Sequence, residues 1–233
     1  MLIKMSKEEK IVQVNYRITY DALPHESIEQ LPPPIQDRLE ELYDLTQTNP
    51  ERAIPYLVDL TDKYPEAPVF DNYLISAYEA TGQIKKAIAL IEEAYQKHPD
   101  YFFAKVNYAF HCLKNNKSEK IPDIFEQKFD LKLLYPHREI FHVAEFISFN
   151  AVMALYHLAT AHREVAERYY DVLYDLEPNN ILTKKVKHHL YPSLFRKILH
   201  KLANNSLKRI KRKQKSMARE EAKSPYANYS KEF

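Results

Sequence analysis

Residues 68–101 read PVFDNYLISAYEATGQIKKAIALIEEAYQKHPDY. Leu74 and Tyr78 are four residues apart, as are Ala87 and Ile91, and Ala94 follows three residues later. This is the period of one apolar helix face. Gly82, the only glycine in 233 residues, lies between the two groups. Glycine weakens helix interiors but accepts the positive φ of a tight reversal. The stretch therefore predicts two helices that turn back on each other at Gly82 and end at Pro99.

The pattern recurs. Ala53 and Pro65, Ala87 and Pro99, and Ala166 and Pro178 are each 12 residues apart. Leu57, Ile91 and Tyr170 follow the alanines by four residues, and Leu60, Ala94 and Leu173 by seven. The first two copies are 34 residues apart, 53 to 87 and 65 to 99. The third lies 79 beyond the second, two periods plus 11, so an irregular copy with an insertion is expected between them. That copy opens at FFAKVNYAFHCLKNNKSEK; its second helix is expected from Pro122, and DLKLLYPHREIFHVAEF is the inserted part.

A 34-residue unit of this kind, with a small residue, an apolar residue four later and a closing proline, resembles the tetratricopeptide repeat. Leu74 and Tyr78 match its first-helix packing positions, and Ala87, Ile91, Ala94 and Pro99 its second helix and end. Asp71 stands where the family often has tryptophan and Ile75 where it often has glycine, so the array is degenerate. The resemblance covers roughly residues 35–180. It implies an all-α, right-handed solenoid of helical hairpins, in which each pair buries its apolar face on the next.

Composition agrees with a helical chain. One glycine and no tryptophan stand beside 14 prolines. Sheet proteins draw on glycine for tight turns, and phosphate-cradling loops need glycine clusters. One cysteine, Cys112, leaves no intramolecular disulfide and no multi-cysteine zinc site. Without a signal-like start or a run of 18 apolar residues, the chain is expected to be soluble and cytoplasmic, with no membrane span.

Ahead of the helices, Val12, Val14, Tyr16, Ile18 and Tyr20 alternate with polar residues, the period of a strand. With no evident partner strand, this reads as an extended arm laid apolar face down on the helices. The alternative is an edge that pairs with another chain. DALPHESIEQLPPP then reads as a linker. The expected domains are an arm and proline-rich linker over 1–34, a helical solenoid with a capping helix over 35–205, and a basic, disordered tail over 206–233.

Catalytic patterns are absent. His137, His142, His157 and His162 are the best histidine group, but their pairs are five apart and no HExxH is present. Cys112 takes the packing slot that Tyr78 fills one copy earlier, so it reads as core. No catalytic residue, metal ligand or cofactor is assigned. In the repeat family, first helices line a concave groove. Asn72, Ser76 and Glu79 would form a polar stripe there, and Val106, Phe110 and Leu113 an apolar one. The pair suits a peptide with an apolar anchor, unless the insertion covers the apolar stripe.

The charge is uneven. Between Glu177 and Glu220, 42 residues hold 13 Lys and Arg and no acid. The last 14 residues are net −1 and the whole chain is +2, so the first 177 carry −10. Lys208, Arg209, Lys211, Arg212, Lys213 and Lys215 are the candidate polyanion-binding residues. The sequence therefore points to a non-enzymatic adaptor or scaffold that binds a protein or peptide partner. The alternative is an RNA- or ribosome-associated protein acting through its basic tail.

Overall fold

The computed structural model describes residues 2–5, 10–13, 16–23 and 25–192, and helices dominate them. Three short strands come first: β1 (Leu2–Met5), β2 (Lys10–Gln13) and β3 (Arg17–Thr19). Then come α1 (Glu26–Glu29), α2 (Pro33–Gln36), α3 (Leu39–Thr48), α4 (Pro50–Lys63), α5 (Pro68–Ala80), α6 (Ile84–Lys97) and α7 (Phe102–Lys114). An irregular stretch holds α8 (Ile121–Ile124), α9 (Leu131–Leu134) and strand β4 (Ile140–His142). Three helices close the order: α10 (Val143–Ala159), α11 (Arg163–Leu176) and α12 (Ile181–Leu190). The chain divides into two units, residues 1–186 and 187–233. The second is described only over 187–192, so the expected capping segment at 194–202 and the basic run at 208–215 lie outside the described residues.

The recurring prolines act through the residue before them. Tyr64, His98 and Glu177 precede Pro65, Pro99 and Pro178, with φ from −127° to −141° and ψ from 61° to 73°. The proline ring excludes its neighbour from the α region, so the helix must stop there. Each of the three still donates its N–H four residues back, to Leu60, Ala94 and Leu173, at 2.9 Å.

The reversals within hairpins share a different device. Gly82, Asn116 and Ala161 have φ of 71°, 57° and 63°. The following residues, Gln83, Lys117 and His162, donate to the carbonyls of Tyr78, Cys112 and His157, five residues back, at 2.8–2.9 Å. This is the left-handed helix stop with its six-to-one bond. A Cβ built on Gly82 would meet nothing within 4 Å, so φ alone calls for glycine, not the close backbone contact that a tight hairpin suggests. The first hairpin dispenses with it. Asn49 ends α3 and also caps α4 through its Oδ1, before Pro50.

Packing follows the spacing of the sequence. α3 packs on α4, α4 on α5, α5 on α6, α6 on α7, and α10 on α11, while α3 touches α5 and α5 touches α7. Ala53, Ala87 and Ala166 are 0–1% exposed, which lets neighbouring helices approach. Leu57, Phe70, Leu74 and Tyr78 form one core cluster with these first helices. Ile75, Ile91 and Ala94 form a second, and a larger third one gathers around α7 and α10.

The irregular unit departs from expectation. No long second helix starts at Pro122, because α8 is one turn. Glu126 and Gln127 have φ of 55° and 58°, and two successive left-handed residues end a helix. Ile121, Ile124, Phe125, Leu131 and Leu134 still enter the core beside Val106, Ala109, Phe146 and Phe149. Lys105, 5% exposed, reaches from α7 to the Ile124 carbonyl at 3.4 Å and Glu126 Oε1 at 3.1 Å.

The arm finds a partner strand in that insertion. β3 pairs in parallel with β4, with Ile18 opposite Phe141, and β1 pairs antiparallel with β2. Tyr16, 6% exposed, meets Phe141 edge-on at 4.9 Å. Ile18 of the alternating stretch thus pairs within the chain, along one edge of β3, while Val12 lies in β2 opposite Ile3. The linker also carries structure, since α2 holds Pro33 and Pro34 in its first turn, where no N–H bond is required.

Three substitutions test these points. Alanine at a left-handed position is strained by about 1 kcal/mol, so Ala161→Gly should raise stability and Gly82→Ala lower it by about that amount in urea unfolding. Ala87→Leu should overpack the α5–α6 contact and cost about 1–3 kcal/mol; an unchanged melt would refute the close approach.

Candidate binding groove

The groove residues fall on two neighbouring helices. Asn72 is the fifth residue of α5 and Val106 the fifth of α7. Asn107 Nδ2 donates to Asn72 Oδ1 at 2.9 Å and ties the helices together. The Ser76 hydroxyl donates to the Asn72 carbonyl at 3.1 Å, so it serves its own helix. Glu79 is exposed at the end of the polar stripe.

The apolar stripe is split. Val106 is 2% exposed and belongs to the core around α7 and α10. Phe110 and Leu113 pack on that core but remain half-buried. Lys185, on α12, holds its ammonium 5.3 Å from the Phe110 ring centroid, a cation–π distance. Lys185 is the fifth residue of its helix, like Asn72 and Val106. The insertion does not cover the stripe whole, and the stripe does not lie fully open.

A tyrosine pair joins α3 to α5. Tyr43 of α3 is 49% exposed and sits 5.6 Å from Tyr73, ring to ring. Burial pushes the Tyr73 phenol up to about 12, so it stays a neutral donor. Burial also raises the Asp71 carboxyl, against the opposing pull of Lys97 and His98. His98 Nε2 stands 3.9 Å from Asp71 Oδ2 and 3.0 Å from the Pro65 carbonyl.

A shallow cleft of about 350 Å³ lies between the start of α1, the start of α5 and the connection from α6 to α7. His25, Glu66, Pro68, Lys97, His98 and Tyr101 help to line it. Its charges are mixed, and no single ligand chemistry follows from them.

Of the histidine group, His157 and His162 meet edge-on at 6.0 Å, while His142 serves a separate helix end. His142 caps α10 through its ring, while His157 stacks on Tyr169 at 5.5 Å and His162 turns to Thr160. Burial first, and then His162, hold the His157 imidazole below its ordinary range. Among the described residues no three His, Cys, Asp or Glu are placed to hold a metal ion. Cys112 is 1% exposed, and burial pushes its thiol up, as suits a core residue. No helix among the described residues is long and apolar enough to cross a membrane.

Sequence reasoning missed the Arg138–Glu145 pair. Arg138 donates to both Glu145 oxygens, at 2.9 and 2.7 Å, with its guanidinium 4.5 Å from the Phe141 ring centroid. The Glu145 carboxylate also accepts from the His142 backbone N–H at 2.9 Å. Its signal was the spacing of His142 and Glu145, a capping box with histidine in place of serine.

Comparison with protein-family models, curated proteins and solved structures gives no match.

Phe110 gives the test of this geometry. A fully buried phenylalanine costs about 3–5 kcal/mol on truncation, so half-buried Phe110→Ala should cost about 1–3 kcal/mol. Thermal or urea unfolding measures this, and a loss of the full buried value would place Phe110 in the core.

Proposed function

We propose that the chain is a non-enzymatic, tetratricopeptide-like adaptor of the cytoplasm. It binds an extended or helical partner segment across α5 and α7. The carrying observation is the juxtaposition on those helices. Half-buried Phe110 and Leu113 follow Asn107 along α7, beyond the Asn72–Asn107 pair, and Glu79 is exposed on α5. An apolar side chain of the partner would rest on Phe110 and Leu113, and its polar flank would meet Asn72, Ser76 and Glu79. The prolines, alanines and turn geometry support the repeat reading, because they place first helices side by side.

A second reading rests on the 13 basic residues between Glu177 and Glu220. There the polyanion, RNA or ribosome, would meet Lys208, Arg209, Lys211, Arg212, Lys213 and Lys215, which lie outside the described residues. Phosphate contacts release counterions, so that binding must weaken steeply with salt.

Selection from a displayed peptide library separates the two. The groove should enrich peptides with an apolar anchor, bound with little salt dependence. Phe110→Ala should weaken such a peptide about tenfold or more, and truncation after Asn205 should leave it unchanged. No enrichment, or equal binding by Phe110→Ala, overturns the groove reading. RNA retention that falls steeply with salt and disappears on truncation would favour the tail.

A further inference from the structure

A stack of helical hairpins is held together by contacts between neighbours, so its ends have little direct hold on each other. Here α3 packs on α4, α4 on α5, α5 on α6, α6 on α7, α7 on α10 and α10 on α11. Loosening one of these contacts lets the hairpins on either side swing apart, and the weakly held parts of a chain open first.

The arm runs across this order. The Tyr20 hydroxyl donates to Glu177 Oε1 at 2.6 Å, between α11 and α12. β3 lies on β4 ahead of α10, and the Arg17 N–H donates to the Glu139 carbonyl at 2.9 Å. The His25 ring meets Tyr101 edge-on at 5.3 Å, where α7 begins. Leu31, 5% exposed, shares one core cluster with Ala67 and Phe70 at the start of α5 and with Leu42 of α3. Gln36 then donates to the Leu31 carbonyl at 2.7 Å and to the Glu29 carbonyl at 3.2 Å.

These attachments share a place. Ala67, Tyr101 and His142 are the residues from which α5, α7 and α10 start, and Glu177 lies just before α12. The arm thus touches the leading end of one helix after another, in the reverse of their order along the chain. It is seated in the core at both of its ends. Tyr16 is 6% exposed and has its ring centroid 4.9 Å from that of Phe141 and 6.3 Å from that of Phe146. Among its described residues Tyr16 and Leu31 are buried, and those between them are half-buried or exposed.

We propose that residues 16–23 and 25–31 are a lengthwise strap that fixes the spacing of α5, α7 and α10 along one edge of the array and couples its ends. Two buried seats with a lightly held span between them suit this role. The array can open at that edge only if Tyr16 leaves Phe141 or Leu31 leaves the core of α3 and α5. Both α5 and α7, which carry the candidate groove, lie within the strapped span. Detachment of the arm is therefore the step that changes their separation.

Spin labels on Arg52→Cys of α4 and Arg168→Cys of α11, in the full chain, read the spacing. Both sites are exposed, and Cys112, 1% exposed, is shielded from the reagent. One narrow distance population is expected. Thr19→Pro/Tyr20→Phe loosens the strap at one end. The Arg17 N–H faces β4, alternation turns the Thr19 N–H to the same strand, and proline removes that donor. Phenylalanine removes the bond to Glu177. A second variant adds Tyr16→Ala and empties the seat on Phe141. Both should broaden the distance population, by about twofold or more in the second, and speed hydrogen exchange in α11 about tenfold, while α5 and α6 stay protected. Phe110→Ala, which weakens the core and leaves the strap in place, should keep the population narrow. An unchanged width in both strap variants overturns the proposal. So does equal broadening by Phe110→Ala, or loss of protection in α5 and α6 together with the arm in the milder variant.

Discussion

The contact between Arg138 and Glu145 underlies the interrupted half of this molecule. Glu145 has a side chain only 10% exposed, and a buried carboxylate needs compensating donors. It has three, two from Arg138 and one from the His142 backbone. The arrangement fixes where α10 begins, because the His142 N–H would otherwise be an orphan. It also fixes β4, since Arg138 spreads over Phe141 and reaches the Ile140 carbonyl at 3.4 Å. From β4 follow the pairing of β3, the seat of Tyr16 and the course of the arm.

The insertion thus completes the core without imitating the helix it replaces. A second helix in this place would offer one apolar stripe. The short turns instead present Ile121, Ile124, Phe125, Leu131 and Leu134 from several directions, and all are 6% exposed or less. Phe125 meets Phe149 edge-on at 5.3 Å, a favourable aromatic geometry. Irregular backbone in a core must find bonds for its polar groups, and Lys105 supplies one by donating to the Ile124 carbonyl.

The hairpin reversals show how little glycine the fold requires. Three turns adopt one left-handed geometry with three residue types, and Ala161 bears strain that Gly82 does not. Asparagine is intermediate, as its short side chain tolerates the region. The lone glycine is therefore a matter of sequence choice at a shared backbone position. The proline stops are stricter, because ring sterics act on the preceding residue whatever its identity.

Much of the helical part was legible from residue spacing alone. Ala87, Ile91, Ala94 and Pro99 mark burial and termination within one segment, and local periodicity reports both. The arm was half legible: the alternation through Tyr16 and Ile18 announced a strand, but its partner at Ile140–His142 is more than a hundred residues away. The candidate groove positions were legible as a register along α5 and α7. Only tertiary packing decided that Val106 goes inward while Phe110 and Leu113 stop at the surface, with Lys185 over the ring. Pairing, burial and the bonds of Glu145 depend on which distant segments meet. Spacing along a chain determines the face a residue occupies on its own helix, and the neighbour brought against that face decides whether it becomes core or surface.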